Sequence, residues 1–209
     1  MFLTSRRRFS LLATCCVAAL HGPVLAQTPA AAAPTQRLRA TIEKIDATTL
    51  TVKDRGGEVV TLALPEGVPV TEVLPIAIDA IQPGAFIGTA SLPNASGKQV
   101  ALEVLVFPEA ARGTGEGHYP WDLQPQSMMT NATVADLAQS AQGRTLTLKY
   151  KGGEQTVLVP DTVPIVTFKP ADRSLLVVGA RVLVTATVRD GTPTAIRVLA
   201  GRNGFAPPM

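Results

Sequence analysis

Apolar and polar residues alternate in a series of short runs: Ala40, Ile42 and Ile45, then Leu50 and Val52, then Val59, Val60, Leu62 and Leu64. Period-two spacing rich in β-branched side chains predicts strands. The runs are separated by Asp46-Ala47-Thr48 and Arg55-Gly56-Gly57. These links are short and the second contains glycines that accept positive φ, so the three strands are expected to form an antiparallel meander. Pro69 has no N–H to give to a ladder, which puts the extended stretch from Val68 to Thr71 at an edge or a strand end. Ile76 to Ile81 reads as one helical turn. Gly84 then turns the chain into a run from Ala85 to Leu92, and Asn94 to Lys98 loops into a last strand from Gln99 to Phe107.

The same pattern returns in the second half of the chain. Leu50, Thr51, Lys53, Gly56, Gly57 and Glu58 are matched by Leu146, Thr147, Lys149, Gly152, Gly153 and Glu154. Further on, Val68, Pro69 and Val70 match Val163, Pro164 and Ile165, and Gly84 and Ala85 match Gly179 and Ala180. Finally, Ala101-Leu102-Glu103-Val104-Leu105 matches Ala195-Ile196-Arg197-Val198-Leu199. The second set of strands is expected at 130–134, 145–150, 155–159, 163–168, 181–189 and 194–200, with a helical turn within 134–142. A repeat of this kind implies one supersecondary unit used twice. The expected fold is all-β: two tandem small OB-like or SH3-like β-barrels related by internal duplication, lobe 1 at 37–108 and lobe 2 at 128–202, joined by a connector at 109–127 and followed by a tail at 203–209.

Ahead of the first lobe, Arg6, Arg7 and Arg8 precede an apolar run from Leu11 to Leu20 and the small residues of Val24-Leu25-Ala26. That order is expected of a cleavable signal peptide over 1–26. The arginines resemble a twin-arginine signal, and Leu12-Ala13-Thr14-Cys15 is a distorted lipid-attachment motif. The Pro- and Ala-rich stretch 27–36 reads as a linker. Cys15 and Cys16 both fall in the leader, so the mature chain carries no thiol. Of the 19 Lys and Arg, Arg6, Arg7 and Arg8 lie in the leader; the remainder equals the 16 Asp and Glu, so the mature chain is neutral. The argument from a basic chain to nucleic acid fails. No stable transmembrane segment is expected in the mature chain, and the expected location is periplasmic.

The Thr41-Ile42 strand, the Leu50-Thr51-Val52 strand, the glycine pair, the Val68-Pro69-Val70 element and the strand opened by Gly84 together resemble the bacterial domain of unknown function 5666 family. The resemblance covers both lobes. It implies small β-barrels of exported proteins and carries no residue-level roles.

The connector holds the only tryptophan of the chain and the only histidine beyond the leader. Tyr119, Trp121 and Asp122 are candidates for contact with a lobe, a partner or a small ligand, because amphipathic rings bury large areas and keep a polar edge. His118, with Met128, Met129 and either Glu116 or Asp122, is a candidate metal site of the mixed, soft kind that suits copper. No GxSxG elbow accompanies His118, and the glycines from Arg112 to Gly117 lack the Lys and hydroxyl residue of a phosphate loop. Glu58 and Glu154, at equivalent turns, read as solvated hairpin charges. The first lobe and the connector are each two charges acidic and the second lobe is four basic, which allows attraction between lobes or to an anionic surface. The expected function is a non-catalytic periplasmic binding or adaptor protein, not an enzyme, with no cofactor, whose partner is an envelope protein or a small ligand. The alternative is an accessory of metal handling or metal transport with a weak site in the connector.

Overall fold

In the computed structural model, which describes residues 34–140 and 142–209, the alternating runs form thirteen strands and no α-helix. The expected signal peptide at 1–26 and most of the linker at 27–36 lie outside the described residues. The first strands are β1 (Thr35–Ile45), β2 (Thr49–Asp54), β3 (Val59–Ala63), β4 (Val70–Pro75), β5 (Phe86–Pro93) and β6 (Gln99–Val106). They are followed by β7 (Gly117–Pro120), β8 (Met128–Ser140), β9 (Gly143–Tyr150) and β10 (Gly153–Val159). The last three are β11 (Ile165–Ala171), β12 (Arg181–Arg189) and β13 (Thr192–Ala200). Short 3-10 turns lie at Ile78–Ala80, Glu109–Ala111 and Arg173–Leu175.

Local chemistry sets the links. Asp46 Oδ1 accepts from the N–H groups of Thr48 and Thr49 at 3.0 and 2.8 Å, closing the β1–β2 turn. Gly57 and Gly152 take φ of 91° and 98°, and Gly84 and Gly179 both take 86°, a region in which a side chain would be strained. Two expectations for this part of the chain change. The helical turn within 134–142 is absent, because β8 runs through to Ser140 and pairs Val134 and Leu137 with Leu148 and Leu146. A register shift between Val134 and Asp136 absorbs the extra residue. The connector also contains a strand, β7, which pairs with β8.

All thirteen strands belong to one sheet, and its ladders close on themselves twice. One circuit runs β1-β2-β3-β13-β12 and the other β8-β9-β10-β6-β5. Barrels built from contiguous lobes would keep every pairing inside 37–108 or inside 128–202. The observed pairings cross between them: Arg37 of β1 lies opposite Thr185 of β12, and Ala132 of β8 lies opposite Ile87 of β5. The chain leaves the first circuit through β4 and returns to it through β11. These two crossing strands pair antiparallel along six residues each, Val70 to Pro75 against Val166 to Ala171. Alternation carries no information about which strand becomes the partner, so both arrangements suit the same sequence.

The buried residues follow the circuits. Ile42, Leu50, Val52 and Leu62 pack with Val182, Val184 and Val198 inside the first. Ile87, Ala101 and Val104 pack with Val134, Leu146 and Leu148 inside the second. A third cluster, Val73, Val166 and Leu183 with the flanking Leu105 and Leu199, lies between them. Two of the 3-10 turns serve the circuit opened by the other half: Leu175 and Leu176 join the first core, and Ile81 the second. Arg144 ties the second half to Ile78 O and Asp79, and Arg173 ties it to Ala47 O and Leu64 O.

Each half therefore owns strands of both circuits and completes neither. A fragment of residues 34–112 is expected to be unfolded or to form an exchanged dimer in sedimentation and urea-melt experiments, and mixing it with 113–209 should restore one cooperative transition. A cooperatively folded monomer of either fragment would contradict the exchanged pairing.

Candidate functional site: the cleft between the strand circuits

Where the circuits meet, side chains pointing away from both cores bound a cleft of about 390 Å3. One wall carries Glu103, Leu105 and Phe107 of the β6 segment, with Gly88 of β5 and Met129 and Asn131 of β8. The other carries Leu183 and Thr185 of β12 and Arg197 and Leu199 of β13. Phe168 of β11 stands between them, and Tyr119, Trp121 and Arg37 join the lining with Thr114, Gly115, Ile196 and Met209. Gly88 is required here by close approach, since a Cβ on it would lie 2.5 Å from Asn131 Oδ1 and 3.1 Å from the Phe107 ring.

Glu103 reaches this cleft because of a bulge. In the β5–β6 ladder Ala90 lies opposite Glu103 but Ser91 lies opposite Ala101, so Leu102 is the extra residue. Ala101 and Val104 both enter the second core, and Glu103, Leu105 and Phe107 turn to the other face. The Ala90 N–H donates to Glu103 Oε1 at 3.0 Å, while Oε2 has no hydrogen-bond partner among the described residues and the residue is 1% exposed. Burial pushes the carboxyl up to about 7, against the opposing pull of the Ala90 N–H and the positive charge of Arg39. At neutral pH this side chain is divided between acid and carboxylate, available as an O–H donor or as an acceptor.

The connector closes one side of the cleft. Buried Ser127 donates from Oγ to the carbonyls of Trp121 and Gln124 at 3.0 and 2.8 Å, and the Trp121 N–H donates to Ser127 O at 2.8 Å. That turn presents Trp121 to β1, where the Arg37 guanidinium lies 4.0 Å from the ring centroid. Arg39 donates to Asp122 Oδ1 at 2.8 Å, and Arg37 approaches Oδ2 at 3.6 Å. Burial raises the Asp122 carboxyl, but the hydrogen bond from Arg39 and the charges of Arg39 and Arg37 outweigh it and hold the group below its usual range. Tyr119 Oη accepts from Asn131 Nδ2 at 3.1 Å, and burial pushes the phenol up despite the charge of Arg37. The Trp121 indole N–H has no acceptor among the described residues. Tyr119, Trp121 and Asp122 are thus brought together: Trp121 and Asp122 clasp β1, and Tyr119 and Trp121 line the cleft.

The metal candidates are not gathered in this way. His118 lies opposite Thr130, and Tyr119 opposite Met129. Alternation along β7 and β8 therefore sends His118 and Met129 to opposite faces of the ladder. Met128, opposite Pro120, shares the His118 face. His118 Nδ1 is hydrogen-bonded to Thr130 Oγ1 at 2.8 Å, its ring stacks on Tyr150 with centroids 6.2 Å apart, and burial lowers its pKa. Glu116 Oε1 accepts the Lys151 N–H at 2.9 Å. Among the described residues no three His, Cys, Asp or Glu side chains cluster as metal ligands.

A second depression, of about 250 Å3, lies beside β1 and β2 and is lined by Lys53, Asp54, Arg55 and Arg181. Its charged side chains are mostly solvated, and it contains no buried group in want of a partner, so the cleft holding Glu103 is the stronger site. Comparison with family models, with curated proteins and with solved structures finds no match to this chain.

Glu103 is the residue that sequence reading passes over. Its signal is a lone acid within the apolar run from Gln99 to Phe107, at a repeat position where the second half has Arg197.

A carboxyl that keeps its proton to about pH 7 when folded, against 4.5 when unfolded, makes unfolding release a proton between those values. Native stability must then fall as pH rises through that window and level off above it. Glu103→Gln removes this slope. In urea melts the stability of the variant relative to wild type should rise by up to roughly 3 kcal/mol from the bottom of the window to the top. A difference that is constant with pH would show that Glu103 titrates normally.

Proposed function

We propose that this chain is a non-catalytic binding protein of the cell envelope, exported by its N-terminal leader and built from a duplicated small barrel whose copies have exchanged strands. The cleft at their junction is its ligand site. The observation that carries the binding reading is Glu103: a buried carboxyl with one unpartnered oxygen, in the wall of a cavity otherwise lined mainly by apolar and aromatic side chains. Unsatisfied buried polar atoms are costly and uncommon, and a ligand that supplies the missing partner offsets the cost. Apolar clefts with a few convergent polar groups are the usual form of small-molecule sites.

The duplication is supported by the way the repeat meets itself. Val70 and Ile165 correspond in sequence, so Val73 corresponds to Phe168, and these two residues pair with each other at the centre of the β4–β11 ladder. Exchange of the halves about that point maps the ladder onto itself. It also maps Glu103 onto Arg197 and Leu105 onto Leu199, so the cleft has related walls that differ in their charged residue. A binding role is favoured over catalysis because the lining offers an isolated carboxyl without a nucleophile and base hydrogen-bonded to one another.

The neutral fluorophore N-phenylnaphthylamine is expected to bind saturably, one molecule per chain, with enhanced emission. Leu183→Trp, which fills the cleft from β12, should weaken that binding at least about tenfold (roughly 1.4 kcal/mol) while the variant still melts cooperatively. Emission that rises linearly without saturation, or is indifferent to Leu183→Trp, would remove the cleft as a binding site.

A further inference from the structure

Charges around Glu103 are unequal in sign. Arg39 and Arg37 come from β1, Arg197 from β13, the Tyr119 phenol from β7 and Asp122 from the connector. β5, β8 and β11 contribute Gly88, Met129, Asn131 and Phe168, none of them charged. Asp122 is occupied by Arg37 and Arg39. When Glu103 bears its proton, three guanidinium groups therefore face the Asp122 carboxylate and Met209 O, which accepts from Arg39 Nε at 3.0 Å, and positive charge remains in excess. A cationic ligand would have to join that excess of positive charge. An anionic one relieves it.

Resting on the binding reading above, we propose that the cleft takes an apolar monocarboxylic acid, bound as the carboxylate between Arg37 and the protonated Glu103, with its body against Leu105, Phe107 and Phe168. Glu103 Oε2 is the atom without a partner; as O–H it donates to a ligand oxygen, and a hydrogen bond between an acid and a carboxylate is among the shorter and stronger kinds. Arg37 contacts Asp122 through Nη1 at 3.6 Å and lies over Trp121, which leaves guanidinium N–H groups for a second carboxylate. Binding takes up a proton whenever Glu103 starts ionised, so affinity rises as pH falls through the Glu103 titration. No bond is made or broken.

The test titrates the full chain with phenylpropionate, phenylpropanol and phenylpropylamine, which share one apolar body, and reads Trp121 emission and calorimetric proton uptake in two buffers. Phenylpropionate should bind about tenfold more tightly at about pH 5.5 than at about pH 8, taking up a proton at the higher pH. Glu103→Gln, which keeps an N–H donor, should flatten the pH dependence and retain binding at the higher pH; Arg37→Gln should weaken binding at both. A preference for the amine that Glu103→Gln abolishes, or a phenylpropionate affinity unchanged with pH, overturns the proposal. If only phenylpropanol binds, the site stands and the carboxylate class falls. If none of the three binds, the binding reading itself falls. Should Glu103→Gln fail to fold, the wild-type pH dependence together with Arg37→Gln separates the same outcomes.

Discussion

The antiparallel pairing of β4 with β11 lies where the chain crosses from one strand circuit to the other and back. Their other partners contribute little: β4 meets β13 at three residues and β11 meets β6 at two, both in parallel. Without the β4–β11 ladder each crossing strand would be left as an open edge, exposing backbone donors and acceptors. The ladder is reinforced by charge. Glu72, buried on β4, receives the Arg202 guanidinium through two hydrogen bonds of 3.0 Å and lies 3.6 Å from Lys169, its register partner on β11. The Arg202 hydrogen bonds hold the Glu72 carboxyl below its usual range, so the pair stays ionised at neutral pH.

That crossing also creates the cleft. Two closed circuits joined side to side leave their outward faces turned toward a common space, and the residues there answer to neither core. Inside the circuits the largest fully buried side chains are apolar, Leu50, Leu62, Leu146 and Leu148 among them, and the polar ones are small hydroxyls such as Thr89 and Thr130. At the junction the sequence instead places an acid and several guanidinium groups, at positions where apolar side chains would pack more favourably. The bulge at Leu102 is the local device responsible. It shifts the parity of β6, frees the Ala90 N–H from the ladder and supplies Glu103 Oε1 as its acceptor. The corresponding bulge at Ile196 brings Arg197 to the matching place, so one backbone feature used twice displays opposite charges.

Much of this was legible in the chain. The alternation marked most strands of both halves to within a few residues, though not β7 or the far end of β8, and the glycine pairs marked hairpin turns that do take positive φ at Gly57 and Gly152. Of the connector rings, candidates for contact with a lobe, a partner or a ligand, Trp121 lies against Arg37 of β1. Strand partners were not legible, because a period-two pattern fixes which face is apolar and is silent about the neighbour. β8 was masked by Ala135 and Asp136, where a register shift interrupts the alternation. Glu103 was hidden for a related reason: strict alternation from Ala101 assigns it to the core, and only the bulge turns it outward. Of the metal candidates, parity separates Met129 from His118, on opposite faces of one ladder, and leaves Met128 on the His118 face.

Glu103 is the point at which exchange, bulge and cleft come together, and its protonation can be observed at the residue itself. A titration of the Glu103 side-chain carboxyl by carbon-detected NMR, in the ligand-free protein, should give a midpoint near 7, in keeping with a carboxyl that is buried and only half partnered. A midpoint in the ordinary carboxylate range, close to 4.5, would mean that the side chain is solvated or fully paired, and would contradict the cleft described above.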